Sequence, residues 1–346
     1  MLTSLSSNAI AAKARAIYGK RLTNTNYTEL TRLTTVSDVC AYLKTKTSYS
    51  KYLKGINESG IHRGQLENLL KRSRIEKYFS LLHYDFSKNK GFFGFVIINV
   101  ETNIILQSIM SLNSNGSDDF ISTIPAFLDE YIQFDLKSLF KAKNFEELLE
   151  VLKHTPYFAV IKRFNASNGN INLKDCELAL RTNYYNWTLD QIKKNYKGNI
   201  KKELLEIVKT EIELLNISLI YRLKFYFNKP TAIVKSQIIP IYLKYPKKAI
   251  DELIDCQTQD EFIKKINKYA HDPKLNDINY NYIEDYTKRL RYIVNRKMMR
   301  SSSNAAISFY ALMTLSQIEI ENIIIIIEGV RYNEKDSEIQ KLLILE

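Results

Sequence analysis

Residues able to carry chemistry are sparse in this 346-residue chain, and their spacing forms none of the sets that catalysis requires. Phosphate-cradling loops need GxxxxGK[ST] or GxGxxG, zinc hydrolysis needs HExxH and a serine elbow needs GxSxG; none of these occurs. The four histidines, His62, His83, His154 and His271, stand apart without ligand spacing, and each reads as a surface or helix-end residue. Cys40, Cys176 and Cys256 make no CxxC pair, so neither a zinc module nor a secreted disulfide framework is suggested, and a reducing cytoplasm fits best. Carboxylates are plentiful but follow helix-face patterns, so no acid–base pair stands out. The run KGFFGFVI (90–97) has the basic and aromatic flavour of an RNA-recognition strand. It carries an extra residue between its glycines, however, and no βαββαβ pattern surrounds it, so it reads as a glycine turn feeding a buried helix. No catalytic residue, metal site or cofactor is expected.

The elements that would position side chains read as helices. Only ten Gly and six Pro interrupt long stretches of Leu, Ile, Lys, Glu and Tyr, which predicts an all-α chain with a large core. The 23 tyrosines, among them Tyr184, Tyr185, Tyr221, Tyr226 and Tyr242, fall in helical patterns and read as core-edge packing. The N-terminus lacks a signal-type apolar run, and no stretch reads as approaching the roughly 18 apolar residues of a membrane helix; any membrane association is expected to be peripheral. The net charge of +12 is uneven: residues 1–116 hold 16 basic and 7 acidic side chains, whereas the rest of the chain is close to balanced. Such a bias suits an acidic protein surface, anionic lipid or nucleic acid, and Lys13, Arg15, Lys20 and Arg21 are the candidate contacts with an acidic partner.

A pattern recurs three times. Leu30, Leu33, Val39 and Leu43 share their intervals with Leu139, Ala142, Leu148 and Leu152, displaced by 109, and with Leu253, Cys256, Phe262 and Ile266, displaced by a further 114. Each set reads as a short helix, a polar turn and a second helix with carboxylates in its first turn (Asp38, Glu146, Glu147, Glu261), where the helix dipole favours them. Downstream, Glu67, Glu177 and Glu284 each precede a cation by four residues (Lys71, Arg181, Lys288), a surface pairing. Further on, Asn103, Asn216 and Asn322 each precede Ile in strongly apolar segments. An asparagine buried there is expected to tie helices together rather than hold a ligand. The expected organisation is three helical repeats, 1–116, 117–232 and 233–346, with Leu30, Leu139 and Leu253 equivalent.

The opening AKARAIYGKRLT (12–23), the segment TVSDVCAYLKTKTSY (35–49) and the helices EIELLNISLIYRLKFY (211–226) and EIENIIIIIEGVRYN (from Glu319) together resemble the C subunit of archaeal and bacterial V/A-type rotary ATPases, related to the d subunit of vacuolar ATPases. Two departures stand out: Val100 where Glu213 and Glu319 stand three residues before the Asn, and Glu328-Gly329 where the second copy has Arg222. The resemblance implies a funnel of three pseudo-symmetric units around an axis, a cytoplasmic and peripherally attached location, and a non-catalytic role between two partners, the central shaft and the membrane proteolipid ring. It implies no nucleic acid and no cofactor. The competing reading is a basic helical nucleic-acid-binding or scaffold protein, for which binding would fall steeply with salt.

Overall fold

The computed structural model describes residues 2–84, 91–114, 124, 126–164, 172–268 and 283–345; among these, regular structure is helical and no strand occurs. Helices α1 (Leu2–Tyr18), α2 (Asn24–Thr31), α3 (Val36–Lys46) and α4 (Arg63–Leu82) precede the apolar α5 (Phe95–Ser114). Three short helices follow, α6 (Leu136–Lys141), α7 (Phe145–Leu152) and α8 (Pro156–Ile161), and then two long ones, α9 (Leu173–Asn195) and α10 (Gly198–Tyr221). Short helices come again as α11 (Thr231–Ser236), α12 (Lys247–Asp255) and α13 (Gln259–Lys268). The chain continues through α14 (Ile283–Ser301), the 27-residue α15 (Ala305–Arg331) and α16 (Asp336–Leu342). It divides into two compact units, Met1–Lys90 with Lys288–Glu346, and Gly91–Thr287. Of the repeat boundaries expected from the sequence, 116/117 lies outside the described residues and 232/233 falls within α11.

The three leucines that anchor the pattern are all buried, with Leu30, Leu139 and Leu253 at most 1% exposed. Each closes the first helix of a helical hairpin, α2–α3, α6–α7 or α12–α13. The second helix of each hairpin begins with the same device. Thr35 accepts from the Asp38 N–H, Asn144 from Glu147 and Thr258 from Glu261, which satisfies an N–H that the first helical turn would leave unpaired. In the second and third copies the carboxylate reaches back, Glu147 to the Lys143 N–H and Glu261 to the Gln257 N–H. These cap pairs carry the same displacements, 109 and 114, as the leucines.

In the first unit α15 is the central element. Ile320, Ile323, Ile326, Ile327 and Val330 pack with Leu30, Val39 and Leu43 of the hairpin and with Leu66 and Leu70 of α4 in one cluster. Packing against α1 and α4 as well leaves α15 little solvent contact, which is why its sequence is apolar all round instead of along one stripe. In the second unit α9 is the shared wall for α5, α8 and α10. Of the run 90–97, residues 91–97 are described: a tight turn at Gly91–Gly94 leads into α5, and Phe92 packs edge-on against Tyr196. Gly94 lies under Trp187: a Cβ there would sit 3.0 Å from the indole ring. The sequence reading of apolar runs needs one correction, because Gly91–Asn113 and Ala305–Arg331 are long and apolar enough to cross a membrane. Both are mostly buried within the protein, where neighbouring helices supply the apolar surroundings.

The Glu328-Gly329 departure also has a packing cause. The chain turns back after α15 so that α16 lies over its end, and a Cβ on Gly329 would come within 2.5 Å of Ile339 Cγ1. Gly329→Ala is therefore expected to destabilise by roughly 1–3 kcal/mol through overpacking, although Ala is the better helix former by about 1 kcal/mol. Urea denaturation measures this, and the loss should shrink in an Ile339→Ala background. Stabilisation by Gly329→Ala would show that the contact is not made.

Candidate functional site

The buried charged groups include three glutamates, one in each of the apolar helices α5, α10 and α15. Glu101 and Glu213 have no exposed surface and Glu319 is 8% exposed. A carboxylate removed from water survives only where donors replace the lost hydration, and all three find them on the short-helix segments packed alongside. Glu101 accepts from the Gln133 backbone N–H at 2.7 Å and from the Tyr157 hydroxyl at 2.6 Å. Glu213 accepts from the Leu243 and Tyr245 N–H groups at 2.5 and 2.9 Å. Glu319 accepts from the Leu22 N–H at 2.8 Å and the Tyr49 hydroxyl at 2.7 Å, and Lys77 Nζ stands 3.7 Å away. Tyr49 and Tyr157 end the same sequence pattern 108 residues apart; Tyr269, which ends the third copy, lies outside the described residues.

Two of the three asparagines are buried and grip irregular backbone packed beside their helices. Asn216 exchanges both hydrogen bonds with the backbone of Ile239, donating to its carbonyl and accepting from its N–H. Asn322 does the same with Ile344. Each amide side chain thus continues a stretch of chain that no helix or strand satisfies. Asn103 differs: it is exposed and donates only to Asn99 one turn back. Aligned on the buried carboxylates, Glu101, Glu213 and Glu319 are equivalent, and Ile104 rather than Asn103 takes the position of Asn216 and Asn322. The Val100 departure is a one-residue misregister of the Asn-Ile motif.

In the first unit the Glu319 node faces a cavity of about 350 Å³ bordered by Leu22, Tyr27, Lys77, Tyr292 and Asn322. Burial holds the Lys77 ammonium below its ordinary value, against the attraction of Glu319. Burial, reinforced by Glu319, raises the Tyr49 phenol well above the usual range, and burial with Glu101 does the same for Tyr157. These carboxylates are engaged by fixed backbone donors and so act as posts between neighbouring segments. The cysteines are buried and unreactive in character; burial pushes the Cys176 thiol up to about 11. No group of three or more potential metal ligands converges among the described residues.

The remaining predicted residues are dispersed. Glu67 receives Arg63 at 2.6 Å and Lys71 at 3.6 Å, and Arg63 also bridges to Glu328. Glu177 pairs with Arg181 at 2.7 Å, while Glu284 and Lys288 form no ion pair among the described residues. Arg15 donates to the Ser302 carbonyl and Arg21 lies 4.4 Å over the Tyr18 ring; Arg21 and Lys20 both border the cavity beside Glu319, and Lys20 lines a second recess with Lys13. Sequence reasoning missed Glu101, Lys77, Tyr49 and Tyr157. For Glu101 the available signal was a lone carboxylate inside an apolar helix.

The chain matches the family model described as ATP synthase (C/AC39) subunit over residues 10–342. It is similar to the C subunit of the A-type ATP synthase of Thermococcus kodakarensis, at 24% identity over 75% of this chain and 70% of that protein. The corresponding protein of Thermococcus gammatolerans is 24% identical over 66% of this chain and 59% of its own length. That of Methanococcoides burtonii is 24% identical over 61% and 58%. The matched portions thus leave three to four tenths of these relatives' lengths uncovered.

Replacing Asn216 by Ala strands the buried Ile239 N–H, while the Ile239 carbonyl keeps the Ile241 N–H at 2.8 Å. Replacing Asn322 by Ala removes the partners of both the N–H and the carbonyl of Ile344. Each loss is expected to be roughly 1–3 kcal/mol, whereas Asn103→Ala should stay within about 0.5 kcal/mol. Equal effects at the three positions in urea melts would contradict the register assigned above. A second expectation concerns alkaline pH. The raised phenols of Tyr49, Tyr157 and Tyr245 keep their protons in the folded state, while unfolded tyrosines lose theirs near pH ~10. Their contribution is complete below about pH 9 and is lost as pH rises further; Lys77 and Lys51, whose folded values are depressed, oppose this. Stability should therefore fall between about pH 9 and pH 11, and less steeply in Tyr49→Phe. A flat profile would count against the buried-phenol nodes.

Proposed function

Because this chain belongs to the ATP synthase (C/AC39) subunit family, we propose that it works as the non-catalytic adaptor coupling the rotating central shaft to the membrane proteolipid ring. The observation that carries this reading is the family match, which runs nearly end to end. Its physical rationale is that torque must pass between a shaft and a ring of many identical subunits, which calls for a stiff body that bridges unlike symmetries and makes or breaks no bond. The recurring hairpins, cap pairs and carboxylate posts support a division into three equivalent helical units, 1–116, 117–232 and 233–346, set around an axis as a funnel. In this reading the hollow receives the shaft and one face rests on the ring, so the chain is cytoplasmic and reaches the membrane through the complex. Nodes in which a buried carboxylate grips backbone N–H groups suit the role, since a load-transmitting contact must resist shear between helices.

The test is reconstitution of membranes with and without the purified chain. Without it, ATP hydrolysis by the soluble sector should continue while ion transport stops; adding it back should restore attachment and transport together. Transport that persists in its absence would refute the coupling role.

A further inference from the structure

Lys13 of α1, Lys20 just beyond it, Lys51 in the turn Ser48–Lys51 and Lys77 of α4 line one recess of about 320 Å³ in the first unit. Hydroxyl-bearing Ser48, Ser50, Tyr52 and Ser80 also line it, and the lining includes no carboxylate. Among the described residues Lys13, Lys20 and Lys51 make no ion pair. Lys77, which is almost wholly buried, reaches Glu319 only at 3.7 Å, and that carboxylate is already engaged by Leu22 and Tyr49.

The cations are held in place by aromatic faces. Lys51 Nζ lies 4.3 Å over Tyr52, Lys77 Nζ 4.8 Å over Tyr49 and Lys13 Nζ 6.0 Å over Tyr84. They also repel one another: partial burial lowers Lys51 in spite of Glu76, and Lys13 and Lys20 lower it further. Concentrating like charges around one concavity is unfavourable without an occupant, and a multivalent anion would remove the repulsion.

We propose that this recess binds a compact polyanion bearing two or three phosphate groups, either free in solution or carried as a lipid headgroup. The volume equals that of roughly ten water molecules, which matches a short polyphosphate. Lysines acting as point charges, together with hydroxyl donors, recognise clustered phosphate oxygens without a fixed fork geometry. An acidic polypeptide fits less well, because its carboxylates are spread along a chain whereas these ammonium groups converge on one volume. Occupancy of the recess would allow a soluble or membrane-borne phosphate compound to modulate the protein.

Calorimetric titration of the full chain with tripolyphosphate, and sedimentation with phosphatidylcholine vesicles with and without phosphatidylinositol bisphosphate, test this. Saturable one-site binding that weakens with salt is expected, reduced about tenfold or more in Lys13→Gln/Lys51→Gln. It should be unchanged in the equally charged control Lys141→Gln/Lys143→Gln, with thermal melts showing that both variants fold; Lys20→Gln serves if the first pair does not. Tighter binding to the inositide vesicles than to tripolyphosphate assigns a lipid source, and the reverse a soluble one. Absence of saturable binding in both arms, or equal loss in the control pair, overturns the proposal. So does a Lys13/Lys51 variant that binds tripolyphosphate normally yet fails to join its partner subunits, which would give the recess to an acidic protein segment.

Discussion

A charged carboxylate inside an apolar helix imposes a condition on everything near it. Desolvation costs several kcal/mol unless donors replace the lost water, and the helix backbone cannot supply them because its own N–H groups are committed. Glu101, Glu213 and Glu319 therefore require a neighbouring segment to arrive with its N–H groups or a tyrosine hydroxyl in place. Leucine packing tolerates sliding by a fraction of a turn, whereas a carboxylate with two directed donors does not. The apolar core holds the helices together, and the three posts determine the register in which they are held.

The asparagine clasps extend the same logic to irregular chain. The segments around Ile239 and Ile344 are neither helix nor strand, yet each has a buried N–H and carbonyl that need partners. One side-chain amide satisfies both and anchors a stretch that would otherwise move with the solvent. In a member of the ATP synthase (C/AC39) subunit family, a non-catalytic subunit, these residues make fixed structural contacts. The four lysines around one recess differ, since Lys13, Lys20 and Lys51 concentrate like charge there with no carboxylate in the lining.

The hairpins were legible because two independent signals coincide there: leucine intervals and cap residues, both displaced by 109 and 114. Periodicity reports which face of a helix is buried, and cap chemistry reports where the helix begins, so agreement between them leaves little freedom. The asparagine alignment failed in the first copy for the opposite reason. Asn-Ile is a two-residue match in a segment rich in isoleucine, and a slip of one position turned exposed Asn103 into an apparent equal of Asn322. Carboxylates are rarer in such helices and would have been the better marker. Lys77 gave no signal at all: it lies among the charged residues of α4, and only the arrangement of α1, α4 and α15 reveals that it is enclosed.

The first unit joins residues 22–70 to residues 320–345 in a single hydrophobic cluster, with Glu319 gripping Leu22 and Asn322 gripping Ile344. During synthesis the early helices thus emerge long before α15 exists to cover them. At translation rates of about 5–20 residues per second, the intervening residues 91–287 alone take roughly 10–40 s to appear. Throughout that interval Leu30, Leu43, Leu66 and Leu70 lack their isoleucine partners, while the second unit, contiguous in sequence, can collapse as soon as it is made. The nascent chain therefore carries uncovered apolar surface at its N-terminal end until α15 is made, and the second unit is the first whose sequence is complete.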